Sequence, residues 1–124
     1  MRLPPSSTSP RAARRYVREV RDRASDGSGP FDPVRCEDID LVVSELVTNV
    51  VMHARTDLEL EAEVVDSELV LRVTDSGAGA PVMPGAAFGE HGGAGLSIVD
   101  RIASDWGIER TDGAKTIWCR LPLR

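Results

Sequence analysis

Two stretches of the chain repeat apolar residues every three or four positions, and two repeat them every second position. Ala13, Val17, Val20 and Ala24 form a stripe that predicts a helix from Ser9, read as N-cap before Pro10, to about Ser25. Arg11, Arg14, Arg15, Arg18 and Arg21 line much of the rest of that helix, and residues 26–30, Asp-Gly-Ser-Gly-Pro, read as a loop. Asp32-Pro33 opens a second helix by the same cap logic, with Ile39, Val42, Val43, Leu46, Val50 and Ala54 on its buried face. Its many β-branched residues are poor helix formers alone, so tertiary packing against a sheet must hold it. Leu58, Leu60, Ala62 and Val64 alternate with Glu59, Glu61 and Glu63, a half-exposed strand. Asp66-Ser67 then makes a tight turn, and Leu69, Leu71 and Val73 return as a strand ending at Thr74-Asp75. Residues 76–93 are rich in Gly, Ala and Pro and predict little regular structure. A helix from Leu96 to about Ile102 and a strand from Thr116 to Leu121 complete the chain. The order helix, helix, strand, strand, loop, helix, strand predicts an α+β fold. It would be a two-layer α/β sandwich with helices on one face of a mixed, mainly antiparallel sheet.

Length changes this picture little: 124 residues fit one domain, with residues 1–8 as a flexible lead-in and 9–124 as the folded unit. Aromatics make up only 4%, so Val, Leu, Ile and Ala must fill the core. A net charge of −5 argues against broad nucleic-acid binding, which needs a basic surface. No apolar run is long enough to span a bilayer, and residues 1–10 lack the apolar stretch of a secretion signal, so the expected location is the cytoplasm with no membrane attachment. Cys36 and Cys119 have no metal-like spacing and read as two free thiols. Lys115 is the only lysine among the basic residues.

Three segments carry candidate chemistry. Glu45, Asn49 and His53 are spaced by four and share one polar helix face beside a buried stripe. A solvated helix face accounts for that pattern equally well. Asp75-Ser76-Gly77-Ala78-Gly79-Ala80-Pro81 follows a strand directly: the aspartate can accept a hydrogen bond from an exocyclic amine such as adenine's, and the glycines allow close backbone approach to a flat ligand. A glycine-rich turn is the plain alternative. His91-Gly92-Gly93-Ala94-Gly95-Leu96-Ser97 leads into a helix whose first N–H groups and dipole suit phosphate. It lacks the Gly-Lys-Ser/Thr of a P-loop, and no Gly-x-Gly-x-x-Gly occurs.

In this order the three segments resemble the N, G1 and G2 boxes of the histidine-kinase-like GHKL superfamily, which includes histidine kinases, topoisomerase ATPase subunits, Hsp90-like chaperones and mismatch-repair ATPases. The likeness runs from about Asp38 to Leu121. The tail Asp105-Trp106-Gly107-Ile108 with Gly113-Ala114-Lys115-Thr116-Ile117-Trp118 is similar to the compact anti-sigma-factor serine kinases. The resemblance implies a Bergerat-type fold that binds ATP and Mg²⁺. Asn49 would ligate Mg²⁺, Glu45 would be the general base, and Asp75 would hold the adenine amine with Thr116 backing that contact. Gly77 and Gly79 would shape the adenine pocket, Gly93 and Gly95 would bind the phosphates beside Leu96, and residues 82–92 would form a lid. His53 would be supporting structure.

The implied activity is an ATP-dependent protein serine kinase that binds a sigma factor and phosphorylates a small anti-anti-sigma protein, with a homodimer common among relatives. The competing reading is a non-catalytic ATP-binding module. One departure favours it: no Lys or Arg lies between Val73 and Asp100, so only Mg²⁺, helix N–H groups and Arg55 remain to face the phosphates. Arg14, Arg15 and Arg18 are partner candidates for an acidic sigma factor, although an arginine-rich face is commonly just solvated.

Overall fold

A computed structural model describes residues 1–25, 27, 29–76 and 93–124. Strand β1 (Arg2–Leu3) is followed by helices α1 (Ser9–Arg23) and α2 (Pro33–Asn49) and a π-helical turn (Val50–Ala54). Strands β2 (Leu58–Val65) and β3 (Glu68–Asp75), helix α3 (Gly93–Ile102) and strands β4 (Asp105–Thr111) and β5 (Ala114–Pro122) follow. The five strands form one sheet in the order β1-β2-β3-β5-β4. Every described pairing is antiparallel, which corrects the expectation of a mixed sheet. Three helices cover one face, giving the α+β sandwich that the periodicity predicted.

The core explains the layering. Val17 and Ala13 of α1, Ile39, Val42, Val43, Leu46 and Val47 of α2, and Val99 of α3 are buried against Leu58, Leu60, Leu71, Val73, Ile117, Cys119 and Leu121 of the strands. The opposite sheet face carries Glu59, Glu61, Glu63 and Arg72, all exposed. Alternation therefore sorts each strand into an inner and an outer row, and cross-strand partners share a row. Both hairpins turn through left-handed residues: Asp66 and Ser67 have φ 50° and 64°, and Asp112 and Gly113 have φ 43° and 83°. That geometry matches the right-handed strand twist.

Several local expectations change. Residues 1–8 do not form a loose lead-in: Leu3 is buried, Arg2 and Leu3 pair with Glu59 and Leu58, and the terminal amine donates to the Leu60 carbonyl at 2.8 Å. Ser9 is not the N-cap of α1. Thr8 holds that position without a side-chain cap bond, while Ser9 Oγ is buried and donates to the Pro4 carbonyl at 2.6 Å. Asp32 does cap α2, its carboxylate accepting from Val34 N at 2.9 Å. α3 begins at Gly93 rather than Leu96, so Gly93 and Gly95 lie in its first turn. β4, absent from the sequence reading, pairs with β5 along its length. It is moored to α3 by Trp106 Nε1, which donates to Asp100 Oδ1 at 2.9 Å. Cys36 and Cys119 are free thiols as expected, and burial pushes the Cys119 thiol up to about 12.

Candidate functional site

The helix connections decide what meets where. Leu58, Asp75 and Lys115 are successive cross-strand partners and mark one end of the sheet. The other end carries the β2–β3 turn, the end of β5 and the start of β4. α2 starts at that second end, where Asp32 N donates to the Leu123 carbonyl at 2.9 Å and Leu123 N to the Ser67 carbonyl at 3.0 Å. Its 17 residues span about 25 Å, close to the length of β3, and its C-terminal turn with Asn49 therefore reaches the Asp75 end. α3 finishes at the second end, since Ser104 N donates to the Arg120 carbonyl at 2.9 Å. Its N-terminal turn with Gly93 and Gly95 accordingly faces the Asp75 end as well. By this reasoning Asn49, Asp75 and the first turn of α3 lie toward one end of the sheet.

Asp75 is the chemical centre of that end. It is the last residue of β3, its side chain is 1% exposed, and it sits in the inner row beside Leu58. Its Oδ1 is buried and has no hydrogen-bond partner among the described residues. An unpaired buried acceptor costs about 1–3 kcal/mol, and a charged one more, so the oxygen fits a ligand donor such as an exocyclic amine. Glu45 and Asn49 are both half-buried one turn apart on α2, which agrees with a shared helix face. Beyond Asn49 the helix widens: Arg55 N donates to the Val50 carbonyl at 2.8 Å, and Arg55 closes the turn with φ 55°. π-type widening of this kind is frequent at functional sites. His53 and Arg55 are exposed in and after this turn. Leu96 is buried in α3, and the first turn of that helix leaves N–H groups without intrahelical partners. Gly77, Gly79 and the expected lid, residues 82–92, lie outside the described residues.

Thr116 is not beside Asp75. It belongs to the outer row, where its hydroxyl lies 2.8 Å from that of Thr74. The inner-row neighbour of Asp75 on β5 is Lys115, whose Nζ stands 3.7 Å from Asp75 Oδ2 with the lysine side chain 18% exposed. The sequence reading missed this residue. Counting by twos back from the buried Leu121, Cys119 and Ile117 finds it. A shallow hollow at this end is lined by Asp75 and Leu58 together with Arg2, Glu59, Thr74 and Ser76, and includes neither Asn49 nor α3 among the described residues.

The arginine candidates on α1 divide. Arg14 Nη1 donates to Ser44 Oγ at 2.8 Å and Arg18 Nη2 to Asp40 Oδ2 at 3.0 Å, so both bind α2. Arg21, expected on the surface, is buried, donating to the Cys36 carbonyl at 3.2 Å and approaching Asp40 Oδ1 at 3.5 Å. Arg15 is exposed. Much of the arginine row therefore fastens α1 to α2. Among the described residues no group of three His, Cys, Asp or Glu side chains could hold a metal ion, so a cation here would depend on Asn49 and on the ligand's own oxygens. Among the described residues no helix is long and apolar enough to cross a membrane.

Residues 6–121 match the model of the histidine kinase-like ATPase domain family. The chain belongs to this family. Its fold is similar to that of the Acinetobacter baumannii histidine kinase AdeS, with a TM-score of 0.56 and 18% identity over 72% of this chain. The chain spans about half, 47%, of the length of that structure. Comparison with curated proteins gave no match. Family membership makes the chain an ATP-binding domain, and the Asp75 oxygen, unpartnered among the described residues, fits a donor on such a nucleotide.

Proposed function

We propose that this ATP-binding domain is a protein serine kinase that also sequesters a sigma factor and is opposed by a small anti-anti-sigma protein, its phosphoryl acceptor. The observation that carries the reading is the pairing of Glu45 with Asn49 on the α2 turn that reaches the Asp75 end. A carboxylate one helical turn from an amide that would hold Mg²⁺ suits a base for phosphoryl transfer, a role that a module binding nucleotide alone does not need.

In this reading Asp75 Oδ1 accepts from the adenine amine and so fixes the base. The first-turn N–H groups of α3 donate to phosphate oxygens, where the helix dipole favours negative charge. Asn49 Oδ1 would hold Mg²⁺, which supplies charge neutralisation on the phosphates. Glu45 takes the proton of the incoming serine hydroxyl. The serine oxygen then bonds the γ-phosphorus as its bond to the β–γ bridging oxygen breaks, and ADP leaves.

Phosphoryl transfer tests this directly. Incubation with γ-labelled ATP and candidate anti-anti-sigma proteins should label a serine, and Glu45→Ala should abolish labelling while leaving ATP bound. Labelling that survives Glu45→Ala removes Glu45 as the base, and a wild-type chain that labels no candidate removes the kinase assignment. The second reading, a non-catalytic ATP-binding module, is favoured by the lack of Lys or Arg between Val73 and Asp100. It predicts that Glu45→Ala regulates normally in cells.

A further inference from the structure

We infer that Lys115 is a second base-reading residue, donating from its ammonium to the ring nitrogen of the purine adjacent to the amino group that Asp75 receives. The inference rests on the ATP-binding site described above and adds a specificity determinant to it. Asp75 and Lys115 are the last inner-row residue of β3 and its cross-strand partner on β5. Their side chains are 1% and 18% exposed, so both are largely withdrawn from water, and Nζ lies 3.7 Å from Oδ2. That contact occupies one carboxylate oxygen and leaves Oδ1 without a partner among the described residues. An ammonium has three donors and no acceptor, so an ion pair with Oδ2 leaves others for a ligand. The pair therefore offers a fixed acceptor and a fixed donor side by side. The Watson–Crick edge of adenine offers the complement, an amino donor next to a ring acceptor. Thr116 cannot supply this donor, because its hydroxyl is turned to the outer row and engaged with Thr74.

The placement is also energetically selective. The ammonium lies where little water competes, and a charge-assisted hydrogen bond there is stronger than a neutral one. Lysine can only donate, so a base with a C–H in place of the ring nitrogen leaves the ammonium short of an acceptor.

The test compares Mg·ATP with Mg·1-deaza-ATP, which keeps the amino group and replaces that nitrogen by C–H, in isothermal titration of the full chain. The wild-type protein should prefer ATP by at least about tenfold, the order of one charge-assisted hydrogen bond. Lys115→Met should bind the two nucleotides equally, and Lys115→Arg, which keeps a cationic donor, should retain a preference. If Lys115→Met fails to fold because Asp75 loses its counter-charge, the same comparison runs between Asp75→Asn and Asp75→Asn/Lys115→Met, where no buried carboxylate remains. Equal binding by the wild-type chain, or an undiminished preference in Lys115→Met, overturns the role of Lys115 and leaves the nucleotide site standing. A wild-type chain that binds neither nucleotide overturns both.

Discussion

The two ends of the sheet solve the same problem in opposite ways. At the turn end, polar groups find partners within the chain. Leu123 bridges Ser67 and Asp32 through its backbone, and Glu68 accepts from both Ser104 Oγ and Arg120 Nε. Asp32 caps α2 there. At the Asp75 end a carboxylate is buried with one oxygen unpartnered among the described residues, and a helix N-terminus opens with glycines. Internal satisfaction marks the end that holds the fold together. The unsatisfied end is the one whose hydrogen bonding a bound ligand would complete.

Substitutions should separate the two ends, and the largest effect falls on chemistry. Glu45→Ala should lower phosphoryl transfer by about 10²–10⁴-fold with ATP affinity retained, measured by label incorporation and titration. Next, Asp75→Asn should weaken ATP binding by about 10- to 100-fold, because an amide that turns its oxygen to Lys115 puts NH₂ where the acceptor stood, while the melting temperature holds. A melting temperature that falls together with affinity would make Asp75 a structural residue like those at the far end. Asp32→Ala reverses the pattern: loss of the α2 cap should cost about 1 kcal/mol in denaturant unfolding and leave ATP affinity unchanged.

The smallest effect is a pH dependence confined to the turn end. The Ser104 hydroxyl, the largest influence, holds the Glu68 carboxyl below its ordinary value of 4.5 with help from Arg120, against an opposing push from desolvation that ranks second. A carboxylate lowered in the folded state contributes stability that is present above its unfolded value and lost as pH falls through the folded one. Glu68→Gln should therefore narrow the stability difference between pH 7 and the acid range slightly, and ATP affinity at pH 7 should not move.

The same division describes what the sequence made legible. Elements built on strong local signals were readable. Asp32-Pro33 announced α2, and the Leu/Glu alternation announced β2 with its Asp66-Ser67 turn. β4 was not readable from periodicity, because Asp105–Thr111 mixes charged residues, a glycine and few apolar ones. Pairing with β5 makes it a strand, and the Asp112-Gly113 turn was the unused signal. The lead-in became an edge strand through pairing with β2, a tertiary event two residues long. In the site, Asp75 stood out because an acidic residue ended an apolar strand. Thr116 was taken for its neighbour because the family resemblance implied it, but side-chain facing in a strand follows register. One position separates the two rows, so Lys115 holds the inner place and Thr116 the outer. Arg21 shows the same limit on α1: helix periodicity placed it next to the apolar stripe, and only the packing of α2 turned it inward.

The tie between Trp106 and Asp100 gives the molecule an intrinsic optical gauge. The indole is half-buried on β4 and tethered to α3, the helix whose opening turn we propose for the phosphates. A repositioning of α3 on nucleotide binding would alter the polarity around that ring, so the change in tryptophan emission that Trp106→Phe removes would report occupancy with no added label.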